Sequence, residues 1–219
     1  MKILCIKTVL LLLFLGNLFA QNEFIVIEDK LVSYIGNEKN IIIPGGIKII
    51  GAYAFSDNNI VESVYIPEGV TSIERGAFYN CINLETINIP NTVKTIEELA
   101  FFMCKSLLKI ILPNELTEIG YGVFYNSGLI EITIPEGVTI IPSMTFFDCE
   151  NLVNILLPNT LTYIGFGAFF RCTKIKSLVI PLSVIHIDIG AFFGIELNDI
   201  IFENVNIISD DIFSWYDYR

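Results

Sequence analysis

The chain has 219 residues, 53% of them apolar and only 17% charged, a composition that excludes a disordered polypeptide. Acids outnumber bases 24 to 13, for a net charge of −11. A surface that acidic repels phosphate backbones and anionic headgroups, so no nucleic acid is expected as a partner.

Residues 1–20 carry the pattern of an export signal. Lys2 and Lys7 form a short basic region, Thr8 to Leu15 an apolar stretch, and Leu18-Phe19-Ala20 offers cleavage before Gln21. The run from Thr8 to Ala20 is 13 residues, short of the ~20 that a spanning helix needs. No second long apolar helix follows, so no membrane span is expected in the mature chain. Removal of the leader leaves 24 acids against 11 bases. The expected destination is export: secreted, at the cell surface, or periplasmic.

Residues 21–40 come next. Phe24 to Asn40 alternates around turn residues and predicts a hairpin that caps whatever follows.

From residue 41 the chain repeats. Prolines fall at Pro44, Pro67, Pro90, Pro113, Pro135, Pro158 and Pro181, with spacings of 23, 23, 23, 22, 23 and 23. Phenylalanines keep the same step at Phe55, Phe78, Phe101, Phe124, Phe146, Phe169 and Phe192. The single short step is a one-residue deletion between Ser127 and Leu129. Two residue types locked to one period mark an array of seven structural repeats over residues 41–195. The first half of each unit, such as LETINIP or LLKIILP, is β-branched and alternating, which predicts a strand closed by a proline that has no N–H to donate. In the second half Ile96, Ala100 and Cys104 recur every four residues beside Phe101, which predicts a short helical turn. The fold class expected is a repeat solenoid, β-rich, with one strand and a short helical turn per ~23-residue coil. A lone coil buries too little to offset its ordering entropy, so stability must belong to the stacked array.

Residues 196–219 form a degenerate last repeat and C-terminal cap. They keep Leu197, Ile200, Phe202 and Phe213, put Glu203 where the proline stood, and add Asp210, Asp211 and Asp217. The aromatic end Trp215-Tyr216-Asp217-Tyr218 can seal the last coil or contact another chain.

The consensus L-x-x-I-x-I-P-x-x-V-x-x-I-G-x-x-A-F-x-x-C-x-N resembles the BspA-like leucine-rich repeat. Ile87-Asn88-Ile89-Pro90, Ala77-Phe78 with Cys81, and Ala168-Phe169 with Cys172 carry the match, closely over 41–195 and loosely on the flanks. The resemblance implies a leucine-rich-repeat arc with strands on its concave side. It also implies secreted or surface proteins of host-associated microbes, linked to adhesion, matrix binding or coaggregation.

Strand alternation puts two positions outward. One column is Tyr65, Asn88, Ile111, Thr133, Leu156 and Val179; the other is Ser63, Thr86, Lys109, Glu131, Asn154 and Ser177. The first column is unusually apolar for a solvated face, which predicts a protein-binding patch. Cys81, Cys104, Cys149 and Cys172 share one repeat position with Ser127. Because serine serves there equally, they read as small buried free thiols, although adjacent coils bring Cys81 near Cys104 and Cys149 near Cys172. The lone histidine, His186, shares a variable position with Ser72, Thr95 and Tyr163, and no motif supplies it with a nucleophile. Neither a cofactor nor a metal is expected, and no catalysis. The function expected is an exported binding protein, adhesin-like toward host matrix or other cells. The alternative is an envelope scaffold module docking an endogenous partner.

Overall fold

The computed structural model describes residues 18–21, 23–203 and 210–214. Most of the expected leader (residues 1–17) and the Trp215 to Tyr218 end lie outside the described residues. The chain is a β-solenoid of coils stacked in parallel register.

At its start β1 (Leu18–Gln21), β2 (Phe24–Ile27) and β3 (Lys30–Tyr34) form an antiparallel meander. The last three residues of the expected leader thus pair with the edge of this unit, Leu18 opposite Ile27 and Ala20 opposite Ile25. β3 then hands over to the coils, pairing in parallel with Ile49–Ile50.

All but one of the coils place a three-residue strand on one side. Asn40–Ile42, Ser63–Tyr65 and Thr86–Asn88 pair in parallel, as do Glu131–Thr133 with Asn154–Leu156 and Leu178–Ile180 with Ile200–Phe202. At Lys109 only an isolated bridge to Glu131 forms. Middle residues such as Val64, Ile87, Ile132 and Ile155 are buried while their neighbours face out.

A second strand in every coil does not emerge from the sequence pattern. Ser72–Ile73, Thr95–Ile96 and Glu118–Ile119 lie in one parallel sheet, and Ile140–Ile141, Tyr163–Ile164 and His186–Ile187 in another. Two residues are too few to show a period of two, and this hides them.

The expected helical turn takes the form of three overlapping reverse turns. In one coil the N–H groups of Ala77, Tyr79 and Cys81 bond to Glu74, Gly76 and Phe78, each three residues back. The intervening N–H groups of Gly76, Phe78 and Asn80 bond instead to Glu98, Ala100 and Phe102 of the next coil. This alternation needs left-handed backbone at two places, met by Gly76 (φ 58°) and Asn80 (φ 55°). A continuing helix would turn every N–H back onto its own coil and leave the next coil without donors. Glycine and asparagine take that conformation most readily, yet Leu99 and Met103 adopt it one coil later. The coil-to-coil bonds enforce the geometry whatever the residue.

The interior is one continuous apolar cluster from Val26 to Ile212. Phe55, Phe78, Phe101, Phe124, Phe146, Phe169 and Phe192 are fully buried and stack as a single row, centroids 4.9–5.8 Å apart and planes within 14°. Phe202 and Phe213 pack against Phe192, each at 6.1 Å, and close the C-terminal end of the row.

Candidate functional site

The strand face is built by alternation. One position of each strand is drawn inward, as at Val64, Ile87, Ile132, Ile155, Leu178 and Ile200, so the residue that follows it turns out to solvent. Tyr65, Asn88, Ile111, Thr133, Leu156 and Val179 all project into solvent, Ile111 at 73% and Leu156 at 65% exposure. The structure extends the column at both ends, with Ile42 beside Tyr65 and Ile201 beside Val179. Both were legible: Ile42 stands two residues before Pro44, and Ile201 two before Glu203, which holds the proline's place.

The second outward column runs alongside and is polar. Lys109 and Glu131 form an ion pair between adjacent coils, and Ser63 donates to Asn40 at 2.6 Å. Its charges are therefore largely matched within the face.

Shallow grooves follow the first column. One runs from Asn40 past Tyr65 and Asn88 to Ile111, the next from Ile111 past Thr133 to Leu156, and a third from Leu156 past Val179 to Glu203. Ile111 and Leu156 each line two of them, so the three grooves follow one another along the stack as a segmented trough. Scattered exposed apolar side chains need no explanation, whereas a row of them bordering successive grooves is a candidate interaction surface.

Cys81, Cys104, Cys149 and Cys172 are buried free thiols. Each Sγ–H donates to the carbonyl of a spine phenylalanine in the preceding coil: Cys81 to Phe55 at 3.0 Å, Cys104 to Phe78 at 3.2 Å, Cys149 to Phe124 and Cys172 to Phe146 at 3.0 Å. Ser127 fits the same row, its hydroxyl 3.3 Å from the Cys149 sulfur. Burial pushes the Cys81 thiol up to about 12 and Cys149 to about 11, so almost no thiolate exists near neutrality. These four thiols are expected to resist maleimide at about pH 8 in the folded chain and to react once guanidinium unfolds it. Peptide mapping that finds any of them alkylated before unfolding contradicts this placement.

His186 stacks on Tyr163, ring centroids 5.3 Å apart and planes 4° from parallel, and its Nε2 lies 2.9 Å from Oδ1 of Asp188. The Tyr163 hydroxyl donates to the other oxygen of the same carboxylate, which, with burial, raises the Tyr163 hydroxyl to about 12. No serine or cysteine bonds to His186 among the described residues.

A second aromatic row lies beside the buried spine. Tyr79, Phe102, Tyr125, Phe147, Phe170 and Phe193 stack with centroids 4.2–4.9 Å apart, mostly half-buried. Its signal was in plain view as the aromatic residue that follows Phe78, Phe101, Phe124, Phe146, Phe169 and Phe192. Stacked on one another, the rings have their faces occupied, so they serve packing better than they serve a flat ligand.

Among the described residues no helix is long and apolar enough to cross a membrane.

The family described as BspA type Leucine rich repeat region matches residues 25–153 and 139–218, in six copies. Of solved structures, a leucine rich cell surface protein from Faecalibacterium prausnitzii A2-165 is 30% identical with a TM-score of 0.77, over 89% of this chain and 57% of its own. The leucine rich repeat protein of T. pallidum, TpLRR, is 25% identical with a TM-score of 0.72, over 84% of this chain and 86% of its own. A leucine-rich repeat protein from Bacteroides ovatus ATCC 8483 is 29% identical with a TM-score of 0.69, over 82% of this chain and 55% of its own. The chain thus spans little more than half the length of the first and third of these. No curated protein matches it.

Proposed function

The chain belongs to the BspA-type leucine-rich repeat family, and from that premise we propose that it is an exported, non-catalytic surface protein that binds another protein through its strand face. The observation that carries the reading is the line of grooves from Asn40 to Glu203, with large apolar side chains from Ile42 to Ile201 exposed along a row that the fold does not need on the outside. The likeness to a leucine rich cell surface protein supports the location. That pairing of surface and trough supports an adhesin-like role toward host matrix or other cells.

The central variants are Ile111→Asp and Leu156→Asp. Both sites are exposed, so folding stability should stay within about 0.5 kcal/mol of the parent. Binding to immobilised matrix or to whole cells should be saturable for the parent chain and at least tenfold weaker for the double variant. Unaltered binding by the folded double variant refutes the trough as the contact surface. Protease treatment of intact cells separates the two locations: the surface reading predicts that the protein is cleaved, whereas an envelope scaffold stays protected.

A further inference from the structure

The trough has a length and a period. The column from Ile42 to Ile201 crosses eight coils, and at ~4.8 Å per strand it is about 34 Å long. An α-helix of about 22 residues has the same length. Within the column Tyr65, Ile111, Leu156 and Ile201 stand on alternate coils and recur every ~9.6 Å, with polar Asn88 and Thr133 between the first three and the smaller Val179 between the last two. Ile42 adds one more apolar residue on the coil before Tyr65. A helix laid along the solenoid axis offers apolar side chains at i and i+7 about 10.5 Å apart, a drift of under about 1 Å per step. An extended peptide in the same direction presents a side chain to the face every ~6.7 Å and loses register with ~4.8 Å coils within two steps.

Charge distinguishes the partner's other face. The lysines on this side are committed, Lys109 to Glu131, Lys176 to Asp199 and Lys39 to Glu62. Along the edge at or just past the proline position Glu68, Glu115, Glu136 and Glu203 are exposed, and none of the four forms an ion pair among the described residues. Glu136 and Glu203 accept only neutral donors, the Asn159 N–H and Thr160 hydroxyl and the Leu182 N–H. An apolar floor beside an acidic rim that holds no ion pair complements a helix with an apolar stripe flanked by lysine or arginine.

Building on the strand face as a protein-binding surface, we propose that the segment it takes is a basic amphipathic α-helix of about 22 residues lying across the strands. Three fluorescent peptides of about 22 residues test it against the whole exported chain by anisotropy. The first has a leucine stripe and lysines on its other face, the second carries glutamate for lysine, and the third is the lysine peptide with two central prolines. The lysine helix should bind at least tenfold more tightly than either control, and salt should weaken it. Ile111→Asn with Leu156→Thr gives those coils the residues found at Asn88 and Thr133, and should weaken binding about tenfold without unfolding the chain. Glu115→Gln with Glu136→Gln should weaken it about threefold and flatten the salt dependence. Equal binding of the glutamate or proline peptide, or of the Ile111→Asn, Leu156→Thr variant, overturns the proposal. If no peptide binds, the helix is wrong, while the Ile111→Asp and Leu156→Asp assay still decides the strand face independently.

Discussion

A Phe101→Ala chain is expected to melt roughly 10 °C or more below the parent, and to unfold in two phases. Phe101 is fully buried at the middle of the spine, 5.4 Å from Phe78 with planes 1° apart and 5.8 Å from Phe124. Truncating a buried phenylalanine costs about 3–5 kcal/mol, because the transfer free energy is lost and the cavity does not collapse. Each kcal/mol moves the midpoint of a chain this long by about 2–4 °C. The second phase follows from the architecture. In a stack where each coil touches only its neighbours, stability is carried by successive interfaces, and weakening a central one uncouples the coils on either side. Phe101→Leu keeps an apolar group in the row and should recover about half the loss. Thermal and guanidinium unfolding followed by circular dichroism measure all three. A single transition within about 3 °C of the parent, the effect of about 1 kcal/mol, would show that Phe101 does not join the two halves.

What the sequence revealed divides along physical lines. Periodic signals of burial came through clearly, since a residue fixed to one inward position every 23 leaves an unmistakable trace: the phenylalanine spine, the proline-closed strands, and the small thiol row that also accepts Ser127. The outward column from Tyr65 to Val179 followed from alternation alone. Backbone geometry did not come through. The turns that replace a regular helix depend on left-handed backbone, which Leu99, Met103 and Met144 adopt as well as Gly76 does, so residue identity underdetermines it. The two-residue strands, Ser72–Ile73 and its successors, are too short to carry a period of their own. For a related reason the second aromatic row was passed over. Tyr79 and Phe102 are only half-buried, and a half-buried position has no sharp apolar rule.

Gly128→Ala is expected to destabilise the chain by about 3 kcal/mol or more, an unusual cost for adding one methyl group. The reason lies in the short step. Between Cys104 and Leu107 stand Lys105 and Ser106, and between Cys149 and Leu152 stand Glu150 and Asn151, but Ser127 and Leu129 are separated by Gly128 alone. The chain crosses the gap by pressing against the coil before it. There the Gly128 N–H donates to the Cys104 carbonyl at 3.1 Å. A methyl carbon at Gly128 would lie 2.0 Å from the Lys105 carbonyl oxygen and 2.8 Å from its carbon, where ordinary contact begins near 3.4 Å. Both obstacles are backbone, held by coil-to-coil bonds, so no rotamer change relieves them. The informative companion is a longer loop. Replacing Gly128 by the pair Lys-Ser restores the 23-residue step of the coils on either side, letting the loop bow outward as theirs do. The two-residue replacement should therefore melt above the single alanine substitution, although it changes more of the chain. If instead the alanine chain melts with the parent and the longer loop collapses the fold, the deletion is not placed at Gly128, and the register of every coil beyond it must be redrawn.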